Sequence, residues 1–132
     1  MLSVELGVAV DLVARQLAEL QERYREARLD SSPDGQRVLV VPDVPTGPGW
    51  SRSTVTVRVI VPAGYPHVDL DCFYIDGDVR LGSGTEPSNS SLQLVFDLQL
   101  RWFSWHVGGW DPNTGSLDRY IRFCEARLRD AR

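Results

Sequence analysis

Residues 101–120 read RWFSWHVGGWDPNTGSLDRY, and the rest of the chain is legible outward from them. Three of the four tryptophans, Trp102, Trp105 and Trp110, fall here beside His106, one of two histidines. Tryptophan is costly to leave in water and its indole N–H wants a partner, so such a cluster marks a core corner or a binding surface. Trp110-Asp111-Pro112 followed by Asn-Thr-Gly-Ser is turn chemistry, with Gly115 tolerant of unusual φ and Thr114 or Ser116 able to cap a helix. That helix starts near Leu117 and carries Leu117, Ile121, Cys124 and Leu128 on one stripe.

Immediately upstream, residues 92–100 alternate, with Leu92, Leu94, Phe96, Leu98 and Leu100 on one face of a strand. Residues 82–91 (GSGTEPSNSS) are small and polar and read as a mobile surface loop. Residues 69–75 alternate before Asp76-Gly77, and Pro62-Ala-Gly-Tyr-Pro66 forms a stiff corner. The clearest strand is 53–61, where Val55, Val57, Val59 and Val61 share one face. Residues 36–41 are a short β-branched run, followed by a proline-rich loop ending at Trp50. Residues 4–28 read as a helix with an apolar stripe of Val10, Val13, Leu17, Leu20 and Tyr24. Arg23, Arg25 and Arg28 suit its C-terminal dipole, and the strong turn residues from Asp30 to Gly35 break it. The order is helix, four antiparallel strands, helix: an α+β class with helices packed on a meander.

A chain of 132 residues suits a single domain, here 1–132, and 42% hydrophobic with 24% charged residues is an ordinary globular composition. A net charge of -4 gives no electrostatic reason to expect a nucleic-acid partner. No apolar run reaches membrane-spanning length and no secretory pattern opens the chain, so no membrane partner and a cytoplasmic location are expected. All 14 basic residues are arginine.

Ser104 lies two residues before His106, on the same face of an extended segment. A serine nucleophile needs a base within hydrogen-bond reach, and the base needs an orienting carboxylate such as Asp111. Ser104, His106 and Asp111 are therefore the candidate catalytic set. His106 reads equally well as a packed rim residue. One nearby histidine and two cysteines are too few for a zinc site, so no metal and no cofactor are expected. Cys72, among Leu70, Phe73 and Tyr74 in a strand, and Cys124, on the helix stripe, read as inert small hydrophobes. Gly82 and Gly84 lack the lysine and the following helix of a phosphate-binding loop.

Gly64-Tyr65-Pro66, DCFYIDGDVRL, FSWH and Trp110-Asp111-Pro112, in this order of elements, resemble the ubiquitin-conjugating (UBC) fold, and more narrowly its prokaryotic family E. The resemblance runs from Val38 onward. It implies an N-terminal helix, a four-stranded antiparallel meander and a C-terminal helix, without the last two helices of the UBC fold. It also implies a bacterial conjugation system in which the partners are a ubiquitin-like protein and its activating, adenylating enzyme. Trp102, Trp105, Trp110, Tyr65 and Pro66 would form the recognition surface. The cysteine that active UBC enzymes carry eight residues before the Trp of Trp-x-Pro is Trp102 here, and the His-Pro-Asn motif is absent. Three readings follow: a UBC-like component that recognises modifier or activating enzyme, a transferase using Ser104 with His106 as base, or a non-catalytic interaction domain built on the tryptophans.

Overall fold

The computed structural model describes residues 2–132, with side chains described from Leu12 onward, so Val10 of the predicted stripe lies outside them. In chain order the elements are α1 (Leu2–Gln21), β1 (Arg28–Ser31), β2 (Arg37–Pro45), β3 (Thr54–Val61), β4 (Phe73–Asp76), β5 (Ser90–Val95), β6 (Leu98–Phe103) and α2 (Leu117–Leu128). The strands form one sheet in the order β1-β2-β3-β4-β6-β5, antiparallel at every pairing. The class is α+β as expected, but the sheet has six strands rather than four.

Both additional strands have a local cause. Residues 28–31 are not the end of the first helix, which stops at Gln21; they pair with Val40 back to Arg37 across the turn that Ser32 to Gln36 make. The arginines expected to cap that helix lie beyond it, and Arg23 instead bridges Asp118 and Glu125 of α2 at 2.7 and 3.0 Å. The second addition comes from 92–100, which is not one strand but a hairpin. Phe96 and Asp97 both take left-handed backbone, φ 55° and 59°, and turn the chain between β5 and β6. This is a two-residue turn of the primed kind, usually marked by Asn-Gly, so its residues gave no warning. An even-length loop also leaves the alternation unbroken while reversing which face each side chain takes. Leu92 and Leu94 therefore share a face with Arg101 and Gln99, opposite that of Leu98 and Leu100. Leu92, Leu94 and Leu98 are exposed, Leu94 by 82%, and only Leu100 of the predicted face is buried.

β2 runs past the predicted strand end at Val41 and continues to Pro45. Its register shifts between Val41 and Val44, where Pro42 offers no N–H and Asp43 adopts φ 61°. β3 matches the expectation, with Val55, Val57, Val59 and Val61 all buried.

The core joins those valines to Leu39, Val41, Leu70, Phe73, Ile75 and Phe103 of the sheet region, Val13 and Leu20 of α1, and Leu117, Tyr120, Ile121, Cys124 and Leu128 of α2. Phe73 and Phe103 stack across the β4–β6 pairing at 4.9 Å. Ser116 caps α2 through its hydroxyl, which accepts from the Arg119 N–H at 3.1 Å. The polar segment 82–91 is bonded down: Gly82 N donates to Gly49 O, Ser88 N to Arg132 O, and buried Arg127 donates to Ser88 O.

Candidate functional site

β4 begins only at Phe73 because Cys72 adopts φ 61°, a left-handed conformation that interrupts the extended path from Leu70. Two bonds hold Cys72 there. Its N–H donates to the Trp105 carbonyl at 3.1 Å, and its own carbonyl accepts the Tyr120 hydroxyl of α2 at 3.0 Å. The turn brings Asp71 and Cys72 up to the segment leaving β6. Ser104 N donates to Asn89 O at 2.9 Å, which fixes the start of that segment beside β5.

His106 is placed between these two strands of chain. Its Nδ1 lies 2.6 Å from Asp71 Oδ1, and its Nε2 lies 3.1 Å from Ser104 Oγ. An ionised carboxylate only accepts, so Nδ1 carries the proton and Nε2 is free to accept from the Ser104 hydroxyl. The order of groups is that of hydroxyl–imidazole–carboxylate triads, in which the carboxylate sets the tautomer and leaves the other nitrogen able to accept a proton. Cys72 Sγ stands 3.9 Å from Nδ1. Burial pushes the thiol above its ordinary 9.0 and the Asp71 charge adds to the rise, against a backbone hydrogen bond from Trp105 that lowers it. Cys72 therefore keeps its proton at neutral pH. Burial pushes the Cys124 thiol, fully enclosed on α2, well above its ordinary value.

Of the residues expected from sequence, Ser104 and His106 meet and Asp111 does not join them. Asp111 is exposed and occupied by its own turn: Oδ1 accepts from Asn113 N at 2.9 Å, and its carbonyl accepts from Gly115 N at 2.7 Å. Asp71, thirty-five positions from His106, stands where Asp111 was expected. Neither Asp71 nor the exposure of Cys72 to His106 had a local signal, because both depend on the turn at Cys72 and on the β4–β6 pairing.

The aromatic residues are drawn largely into packing. Trp110 Nε1 donates to Pro66 O at 2.8 Å and its ring lies 6.0 Å from that of buried Tyr65. Tyr65 donates in turn to Gln16 of α1, and burial pushes its hydroxyl up to about 12. Gly115 lacks a positive φ; it must be glycine because a Cβ there would meet the Trp110 ring at 2.5 Å. Trp105 packs on Phe123 and under Arg127 and Arg132. Trp102 pairs with Tyr74 across the sheet and is half-buried. Val107, Trp110, Asp111, Thr114, Arg119 and Phe123 line a cavity of about 220 Å³, in which His106 and Ser104 take no part.

Among the described residues, no helix is long and apolar enough to cross a membrane. No curated protein and no solved structure matches the chain. The model of one family, described as Prokaryotic E2 family E, matches residues 15–131 and so takes in α2, all six strands and the Asp71–His106–Ser104 corner. The chain belongs to prokaryotic E2 family E, a family of the UBC-like type.

Proposed function

We propose that this protein is the UBC-like component of a bacterial ubiquitin-like conjugation system, recognising the modifier and its activating enzyme and taking the modifier's C-terminal acyl group onto Ser104. The observation that carries the reading is the hydrogen-bonded series Asp71, His106, Ser104. Ser104 Oγ attacks the thioester carbonyl of the activated modifier while His106 Nε2 takes the hydroxyl proton. The activating enzyme's thiolate leaves and recovers that proton, and an oxyester remains on Ser104. Asp71 holds the imidazole and stabilises its charged form. The cavity lined by Val107, the residue after His106 in the chain, would receive the extended tail that ends at the reacting carbonyl. The chain has no lysine, so no side-chain amine of its own competes at the high effective concentration of a bound modifier.

The test is incubation with cognate activating enzyme, modifier and ATP, followed by intact mass measurement. The expected adduct is released by hydroxylamine, resists a reducing thiol and disappears in Ser104→Ala. A thiol-labile adduct lost in Cys72→Ser would overturn the oxyester and move the carrier to Cys72, which also touches His106. No adduct of any kind would leave a recognition role without transfer.

A further inference from the structure

The corner around His106 carries a donor set that shares Asp71 and His106 with the hydrogen-bonded series and adds the Cys72 sulfur, which that series does not use. Asp71, Cys72 and His106 each present one ligand atom, and the three atoms lie within 4.8 Å of one another. The set is mixed, one oxygen, one sulfur and one imidazole nitrogen, and so suits a borderline-soft cation rather than magnesium or calcium. Tetrahedral zinc, with Zn–S near 2.3 Å and Zn–N near 2.0–2.1 Å, separates its ligand atoms by about 3.3–3.8 Å. The sulfur and Nδ1 already stand 3.9 Å apart. The Asp71 oxygen, at 2.6 Å from Nδ1, must withdraw by about 1 Å, a movement open to a half-exposed carboxylate.

An independent feature completes the site. A ligating histidine characteristically donates its other ring N–H to an acceptor that fixes the ring. Here Nε2 faces Ser104 Oγ at 3.1 Å, ready to take that role once Nδ1 is on a metal. The bonds from Cys72 N to Trp105 O and from the Tyr120 hydroxyl to Cys72 O hold the Cys72 backbone in place without metal. Asp71 and His106 are open to solvent, which gives the ion an entry path.

We infer that Asp71, Cys72 and His106 bind one zinc ion or a cation of the same class, through Asp71 Oδ, Cys72 Sγ and His106 Nδ1, with the fourth position open to water. Binding releases the Cys72 thiol proton to solvent and moves the imidazole proton from Nδ1 to Nε2. Nε2 then donates to Ser104 and cannot accept from it, so metal and oxyester formation exclude one another. This last consequence rests on the Ser104 reading; the binding itself does not.

The experiment titrates the metal-free, reduced chain with Co²⁺ and then Zn²⁺. One equivalent of Co²⁺ should give thiolate-to-cobalt charge-transfer absorption with tetrahedral ligand-field bands, and Zn²⁺ should bleach both. Cys72→Ser should abolish the charge-transfer band and weaken Zn²⁺ binding by calorimetry at least about 10-fold, with Ser104→Ala weakening it about 10-fold. His67→Gln, at the chain's other and exposed histidine, should change neither. Absence of charge-transfer absorption in the unaltered chain overturns the inference, as does Zn²⁺ affinity unchanged by Cys72→Ser. If Cys72→Ser fails to fold, exposed His106→Gln carries the same test, and unchanged affinity there is equally fatal. Failure of oxyester formation in metal-free protein would sink the transfer reading and leave these spectra untouched.

Discussion

His106 is 61% exposed and packs little, while both of its ring nitrogens have polar partners, Asp71 and Ser104. His106→Ala should therefore leave stability within about 0.5 kcal/mol, as substitutions at open surface positions do. It should slow modifier transfer by about 10²–10⁴, the usual contribution of a positioned base. Thermal melts and single-turnover adduct formation separate the two effects. Asp71→Asn keeps the shape but lets the amide favour the wrong imidazole tautomer, so a loss of similar order is expected. Asp111→Asn makes the contrast, because Asp111 serves its own turn and should leave the transfer rate near that of the parent. Equal losses from both variants would show that the carboxylate at Nδ1 has no special role. Cys124 differs from Cys72 in having no route to solvent, which makes its thiol a packing group.

At the level of elements, α2 is the best specified piece of the chain. Ser116→Ala removes the acceptor for the Arg119 N–H and should cost about 1 kcal/mol. Ile121→Ala, fully buried against the sheet, should cost about 2–5 kcal/mol. The β5–β6 hairpin predicts the opposite behaviour for a residue of the same hydrophobicity. Leu94 points into solvent, so Leu94→Ser should shift denaturation free energy by no more than about 0.5 kcal/mol. A cost of several kcal/mol would restore the single continuous strand that alternation alone suggests. The hairpin was illegible because Phe96 and Asp97 are poor markers of a primed turn and because a two-residue loop preserves the period. The hairpin sets β5 at one edge of the described sheet, as β1 is at the other, so one side of its backbone faces no strand.

Across the whole molecule, the two helices are tied together by charge as well as by packing. Arg23, just beyond α1, reaches Asp118 and Glu125 on α2, and Arg122 also donates to Asp118. Burial raises the Asp118 carboxyl, but the hydrogen bonds and charges of Arg23 and Arg122 outweigh it and hold the group below its ordinary 3.8. A carboxylate depressed in the folded state contributes fully above its unfolded value and loses that contribution as pH falls through the folded one. Stability should therefore drop on acidification below about pH 4, and Asp118→Asn should lessen that part of the drop while lowering stability at neutral pH. Urea titrations at several pH values read this directly; an unchanged slope for Asp118→Asn would remove the bridge from the account. What the sequence determined by itself was whatever depends on neighbours along the chain: the β3 valine face, the cap and stripe of α2, the pairing of Ser104 with His106 two residues on, and the UBC-like family signature. Only the tertiary structure decided the partners that arrive from far away. Arg23 reaches Asp118 and Glu125 because the end of α1 packs on α2. Asp71 at Nδ1 and Cys72 beside it depend on the left-handed turn at Cys72 and on strand register, and a one-residue change in register redirects every side chain that follows.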